Sequence, residues 1–234
     1  MSPYPSLRAA RYLASDGAAM PGELLTARQR RQLAAIATIV RLPARRTLFR
    51  ENAPAHALFA CAEGVVKSFR ELPSGKRRIA TFLFPGDLCG LAENGRYVNT
   101  ARTVTPAVFH RIRLDDLTSV LKADAELQLH VLCKVTHELR KSQRHAILLG
   151  RREALGRVAM FLLMLEERTA RGVRLPLIPM PMSRTDIADY LALSLEAVSR
   201  ATADLARRGI VAFPDRHAVK VLDRDRLNRL AASL

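Results

Sequence analysis

The apolar positions of this chain keep three rhythms in succession. From Leu25 to Val40 they recur at helical intervals (Leu25, Leu33, Ile36, Val40), with Thr26 placed to cap the first turn. From Arg41 brief apolar runs alternate with turn residues at Leu42-Pro43, Glu51-Asn52-Ala53-Pro54, Glu63-Gly64, Pro73-Ser74-Gly75-Lys76, Pro85-Gly86-Asp87 and Asn94-Gly95. Turns about every 8–12 residues predict a small antiparallel sandwich or barrel. Residues 65–70 and 78–83 flank Pro73-Ser74-Gly75-Lys76 as a β-hairpin, and the strand signal ends near Ile112. After Asp115 the spacing is helical for about fifty residues.

That helical stretch contains a 3-4 repeat, Leu132, Val135, Leu139, Ser142, Ala146 and Leu149, with Ala125 and Gln128 in register upstream. Such a stripe is a seam along which two helices pack, so the helix over residues 123–151 is expected to join two copies of the chain. The polar and small members Gln128, Ser142 and Ala146 make it weaker than a leucine zipper. A second helix is predicted from about Arg152 to Ala170, ended by Arg171-Gly172, and Leu175 to Pro181 is an extended linker.

The remaining pattern is that of a winged helix-turn-helix. Ser183 caps a helix that reaches Leu191, with an acidic residue, Asp186, three positions on. Ala192-Leu193-Ser194 is a short turn, and a second helix runs from Leu195 to Arg208, with Gly209 where helices commonly end. Residues 210–213 and 218–222 flank Pro214-Asp215-Arg216-His217 as a two-stranded wing. The second helix has two faces. Val198, Ala201, Thr202 and Leu205 lie on one, and Glu196, Ser199 and Arg200 on the other. The apolar face can pack. The other offers an acceptor, a hydroxyl and a guanidinium, which can read base edges in a DNA major groove. Ser183, Arg184, Thr185, Arg207 and Lys220 are expected by location to contact phosphates.

Charge agrees with that partner. The 234 residues carry 38 basic and 22 acidic side chains, a net +16, which favours a polyanion. The excess is larger in residues 1–150 than in 151–234, so charge does not locate the site. Three widely spaced cysteines, Cys61, Cys89 and Cys133, form no metal-ligand spacing and suit a reducing compartment. No apolar run approaches the ~20 residues of a membrane helix, and the N-terminus lacks a signal-peptide core, so a cytoplasmic location is expected.

Together with local text the pattern resembles the CRP/FNR family of bacterial transcription factors over about residues 23–225. The matching stretches are Leu48-Phe49-Arg50-Glu51, Glu63-Gly64-Val65-Val66-Lys67, Phe84-Pro85-Gly86-Asp87-Leu88, and Asp186 to Leu191 followed by Glu196-Ala197-Val198-Ser199-Arg200. The last block resembles the signature of the FNR/FixK-like branch. Leu195 stands where the cyclic-AMP-responsive branch usually has Arg. The resemblance implies a TTGA-type half-site read palindromically. Glu196 would accept from a cytosine amino group, Arg200 would donate to guanine, and Ser199 would contact a thymine.

The resemblance also implies a fold: α+β, with a jelly-roll of the cyclic-nucleotide-binding kind over 23–122, the dimerisation helix, and a winged helix-turn-helix over 152–234, after a mobile tail over 1–22. Cyclic nucleotides need a Glu for the ribose and an Arg-Ser/Thr-Ala for the phosphate. Aligned with the family pattern, this chain has Leu91 and Tyr97-Val98-Asn99 at those places. A phosphate pocket without its cation would leave the ligand's charge unpaired. An iron–sulfur cluster of the oxygen-sensing relatives needs N-terminal cysteines, and there is none before Cys61. The expectation is a non-enzymatic, homodimeric regulator, an activator of the FixK type, with double-stranded DNA and RNA polymerase as partners, no cofactor and no membrane. The alternative is an effector-gated regulator whose β-domain binds haem or another small molecule.

Overall fold

A computed structural model describes residues 25–150, 153–170 and 175–232. The tail over 1–22, Arg152 and the helix end at Arg171-Gly172 lie outside the described residues. The chain divides into two compact units. One runs up to Arg70 and includes Phe82–Lys141; the other is Glu71–Thr81 with the chain from Ser142 on.

In the first unit α1 (Ala27–Ala35) opens with a capping box: Thr26 accepts from the Gln29 amide and the Gln29 side chain accepts from the Thr26 amide. The helix expected to reach Val40 stops at Ala35, and β1 (Ala37–Leu42) begins. The run Thr38-Ile39-Val40 is β-branched, and pairing with a neighbouring strand outweighs the helical spacing.

β2 (Thr47–Phe49), β3 (Ala57–Glu63), β4 (Val66–Glu71), β5 (Arg77–Leu83), β6 (Leu88–Cys89), β7 (Ala92–Glu93), β8 (Arg96–Tyr97), β9 (Thr100–Thr103) and β10 (Ala107–Arg113) follow. They form four-stranded antiparallel sheets of order β1-β10-β3-β6 and β2-β9-β4-β5, with β7-β8 as a short hairpin. Phe59, Cys61, Val66, Tyr97, Ala101 and Phe109 fill the core. Gly64, at φ +87°, lets the chain cross the β9–β10 connection; a Cβ there would lie 2.3 Å from the Pro106 carbonyl oxygen.

The helical stretch after the sheets is broken at Asp124. α2 (Leu114–Ala123) ends there, and the Asp124 carboxylate accepts the Leu127 amide at 2.9 Å to start α3 (Ala125–Gly150). That amide and the Arg28 guanidinium hold the Asp124 carboxyl below its ordinary value. α3 buries Leu127 and packs Val131 against the α1 and α2 side chains. Farther along, Lys141 pairs with buried Asp87 at 2.8 Å and also with Glu138, tying the Pro85-Gly86-Asp87 turn to the helix. The opposite stripe is left open among the described residues: Leu132 and Leu139 are 61% and 57% exposed, and Val135, Ser142 and Ala146 are exposed too. Leu149 is half-buried.

The second unit contains α4 (Ala154–Ala170), β11 (Ile178–Pro179), α5 (Arg184–Leu191), α6 (Leu195–Arg207), β12 (Val211–Asp215), β13 (Ala218–Val221) and α7 (Arg224–Ala232). Its core is Phe161, Leu162, Leu165, Ile187, Leu191, Val198 and Leu205. Two elements are additions to the sequence-based expectation. β11 joins the wing in a three-stranded sheet of order β11-β13-β12. α7 buries Leu227 and Ala231 and ties Arg224 to buried Glu166 at 2.5 Å.

Candidate nucleic-acid interface

α5 and α6 are set by their caps. Ser183 Oγ accepts the Asp186 amide at 3.0 Å and Ser194 Oγ accepts the Ala197 amide at 3.1 Å. Only half of a capping box forms at Ser183, because the Asp186 carboxylate turns to Arg77. Between the helices Ala192 adopts the left-handed conformation, φ +53°, so the chain reverses within three residues.

The burial of α6 follows its two faces. Val198, Ala201, Thr202 and Leu205 are buried. Glu196, Ser199 and Arg200 are exposed, and their side chains make no hydrogen bond or ion pair among the described residues. A desolvated carboxylate, hydroxyl and guanidinium would be costly without partners; in water they stand ready to exchange hydration for base edges. Glu196 also lies in the first turn of α6, where the helix dipole favours an anion.

The five candidate phosphate contacts differ. Ser183, Thr185, Arg207 and Lys220 are exposed, and Arg184 is half-buried. Ser183 is occupied as a cap. The Arg184 guanidinium lies over the Phe213 ring of the wing, 4.8 Å from its centroid. Its Nη1 is buried without a hydrogen-bond partner, and burial draws its pKa down. Arg207 donates to Asp204, which also holds Arg208 at 2.7 Å. Among the described residues Lys220 has no such partner, nor has Arg216 at the tip of the wing, a residue the sequence pattern does not single out. The signal for Arg216 was its place in the turn between the wing strands. That turn is fixed by the Asp215 carboxylate accepting the His217 amide and by the Met180 amide donating to the His217 carbonyl.

In the jelly-roll, Leu91 is exposed and Tyr97 is buried. The Tyr97 ring stacks on Phe49 at 4.1 Å and its hydroxyl donates to the Ala57 carbonyl at 3.0 Å. Two neighbouring cations are engaged elsewhere. Arg96 donates to the Asn52 carbonyl, and Arg102 lies over Phe69, 5.6 Å from its centroid. Cys61 and Cys89 are buried and Cys133 is exposed. Burial pushes the Cys89 thiol well up, so it is held as the unreactive thiol. Among the described residues no group of three or more His, Cys, Asp or Glu is arranged to hold a metal. No helix among them is long and apolar enough to cross a membrane.

A jelly-roll, a long helix and a winged helix-turn-helix with an exposed polar face on its second helix define a DNA-binding transcription regulator. The comparisons agree. Residues 156–230 match the Crp-like helix-turn-helix domain and residues 39–124 the cyclic nucleotide-binding domain. The chain is 34% identical to the transcriptional activatory protein AadR of Rhodopseudomonas palustris, over 95% of this chain and 92% of that one. It is 32% identical to the nitrogen fixation regulation protein FixK of Azorhizobium caulinodans, over 97% and 91%. The solved structure of FixK2 from Bradyrhizobium japonicum superposes with a TM-score of 0.79 at 32% identity, covering 85% of this chain and 99% of that one. The chain belongs to the CRP/FNR family.

Proposed function

We propose that this protein is a homodimeric activator of transcription that binds TTGA-type palindromes without a cyclic nucleotide or an iron–sulfur cluster. The observation that carries the reading is the α6 face, where Glu196, Ser199 and Arg200 are exposed together and unpaired. Glu196 accepts from a cytosine amino group, Arg200 donates to guanine O6 and N7, and Ser199 contacts a thymine. Lys220, with Ser183, Arg184, Thr185 and Arg207, holds the backbone. The seam Leu132, Val135, Leu139, Ser142, Ala146, Leu149, exposed except for half-buried Leu149, supports pairing of two α3 helices, and a two-fold dimer reads a palindrome. The names of AadR, an activatory protein, and FixK, a regulation protein, favour activation, with RNA polymerase as the expected partner.

The ligand-independent part rests on the jelly-roll. By the family's sequence pattern Tyr97 falls where the phosphate-binding arginine is expected, and its ring is packed against Phe49. Its ring cannot pair with a cyclic phosphate. The experiment is selection of bound duplexes from a random pool by the purified protein, with no ligand added, under reducing and oxidising conditions. TTGA palindromes should be enriched in both. Enrichment only after adding cyclic AMP, or a Soret band in the purified protein, would replace this reading with the effector-gated one.

A further inference from the structure

α5 has only eight residues, and side chains from outside the helix-turn-helix hold both its ends. At its start two carboxylates three positions apart, Asp186 and Asp189, turn to the same neighbour. Arg77 of β5 donates through Nη2 to Asp186 at 2.9 Å and through Nε to Asp189 at 2.8 Å. Asp186 is buried and the other two are only partly open to solvent: the Arg77, Asp186 and Asp189 side chains are 25%, 8% and 21% exposed. At its other end the Tyr190 carbonyl oxygen lies 2.8 Å from His145 Nε2 of α3, so that nitrogen carries the hydrogen. The His145 and Tyr190 rings stack at 4.0 Å, and the Leu191 carbonyl accepts from Arg157 of α4 at 3.0 Å.

Arg77 differs from His145 and Arg157 in where it comes from. It opens the jelly-roll strand β5, yet residues 71–81 belong to the same compact unit as the helix-turn-helix. Its chemistry gives it leverage. Carboxylates at i and i+3 of a helix repel each other. Partly buried, they are poorly screened by salt. With the guanidinium removed, Asp186 and Asp189 must take up water, which they reach by drawing α5 away from β5. α5 carries Ile187, Ala188 and Leu191 in the buried layer that also holds Val198 and Leu205 of α6. Moving α5 therefore moves the surface on which the reading helix rests.

The geometry points to Arg77 as a positioning residue for DNA recognition: one guanidinium on the β4–β5 hairpin clamps Asp186 and Asp189 of α5 and thereby sets how well α6 engages DNA. It rests on the proposed reading of the α6 face and adds a determinant that touches no base and no phosphate.

The test uses the full chain and fluorescence anisotropy on two duplexes, one carrying a TTGA palindrome and one scrambled, over a range of salt. Arg77→Ala should weaken palindrome binding by about tenfold. The base preference and the salt slope should stay those of the wild type, because no phosphate contact is lost. Adding Asp186→Asn and Asp189→Asn to Arg77→Ala removes the stranded charges, and the triple variant should recover most of the affinity. Should Arg77→Ala fail to fold, the triple variant carries the test alone, and it should fold and bind close to wild type. An unchanged dissociation constant in Arg77→Ala would overturn the clamp. So would a salt slope shallower by about 0.9, the mark of a direct phosphate contact. A folded triple variant that does not recover binding would overturn it as well. A wild type that does not prefer the palindrome would instead count against the proposed half-site, and the clamp would then be read on whichever duplex selection yields.

Discussion

The α6 face and the loop around β8 are polar or aromatic clusters placed by the same family fold, and they differ in what their side chains already hold. On α6, Glu196, Ser199 and Arg200 point into water with no partner among the described residues. In the loop around β8, Tyr97 is stacked on Phe49 and hydrogen-bonded to Ala57, Arg96 is held by the Asn52 carbonyl, and Arg102 lies over Phe69. A site whose groups are unpaired gains every contact it makes with a ligand. A site whose groups are satisfied must first break what it has. The contrast teaches why the proposed function assigns DNA reading to the exposed α6 face and no ligand to the loop, where Tyr97 is part of the core.

Changes that attack one side of this contrast should leave the other intact. The largest effect is expected from Leu139→Glu, which puts a charge in the exposed seam of α3. It should sediment as a monomer where the wild type should sediment as a dimer, and palindrome affinity should fall by about 10²–10⁴ as the second half-site is lost. An unchanged sedimentation coefficient would separate α3 from dimerisation. Tyr97→Ala comes next. It deletes a buried ring and its hydroxyl bond, and urea unfolding should show a loss of about 3 kcal/mol with base preference unchanged. A loss below about 1 kcal/mol would mean the loop is loosely packed and open to a ligand.

A smaller effect distinguishes the phosphate contacts. Arg207 already pairs with Asp204, so it reaches a phosphate only by giving up that partner. Lys220→Ala should make the salt slope shallower by about 0.9, and Arg207→Ala should change it less. The reverse order would show that Asp204 yields its cations freely.

The smallest effect concerns His145. Burial lowers its pKa from 6.5, opposed by hydrogen bonds to the Tyr190 and Ala80 backbone. The unfolded chain therefore takes up this proton at higher pH than the native protein does. The native state holds fewer protons in that window, so stability falls as the pH drops below 6.5. The melting temperature should decline on acidification, and His145→Phe, which keeps the stack on Tyr190, should remove part of the decline.

Much of the reading helix was legible in the sequence because its determinants are local. Ser183 and Ser194 are caps adjacent to the helices they start, and the two faces of α6 follow from spacing within it. The pairing of Arg207 with Asp204 is equally local, three positions apart, although the sequence reading weighed only the cation. Long-range partners were not legible. Arg77 meets Asp186 and Asp189 across 109 and 112 positions, and no spacing rule announces that. The loss of the family's Arg at Tyr97 could be counted along the motif, but the stack on Phe49 that fills its place could not. α7 was hidden because Leu227, Leu230 and Ala231 are few among charged neighbours, and only packing on α4 makes them a face. At α1 the spacing misled: the β-branched run after Ala35 pairs with β10 instead of extending the helix.

If the exposed α6 face reads the half-site, Arg200→Ala should change what it reads. Binding should be measured on the palindrome and on variants changed at each half-site base in turn. The substitution should cost about 1–3 kcal/mol on the intact site and flatten discrimination at the guanine while leaving the other positions as they were. Full retention of the guanine preference by Arg200→Ala would contradict the account.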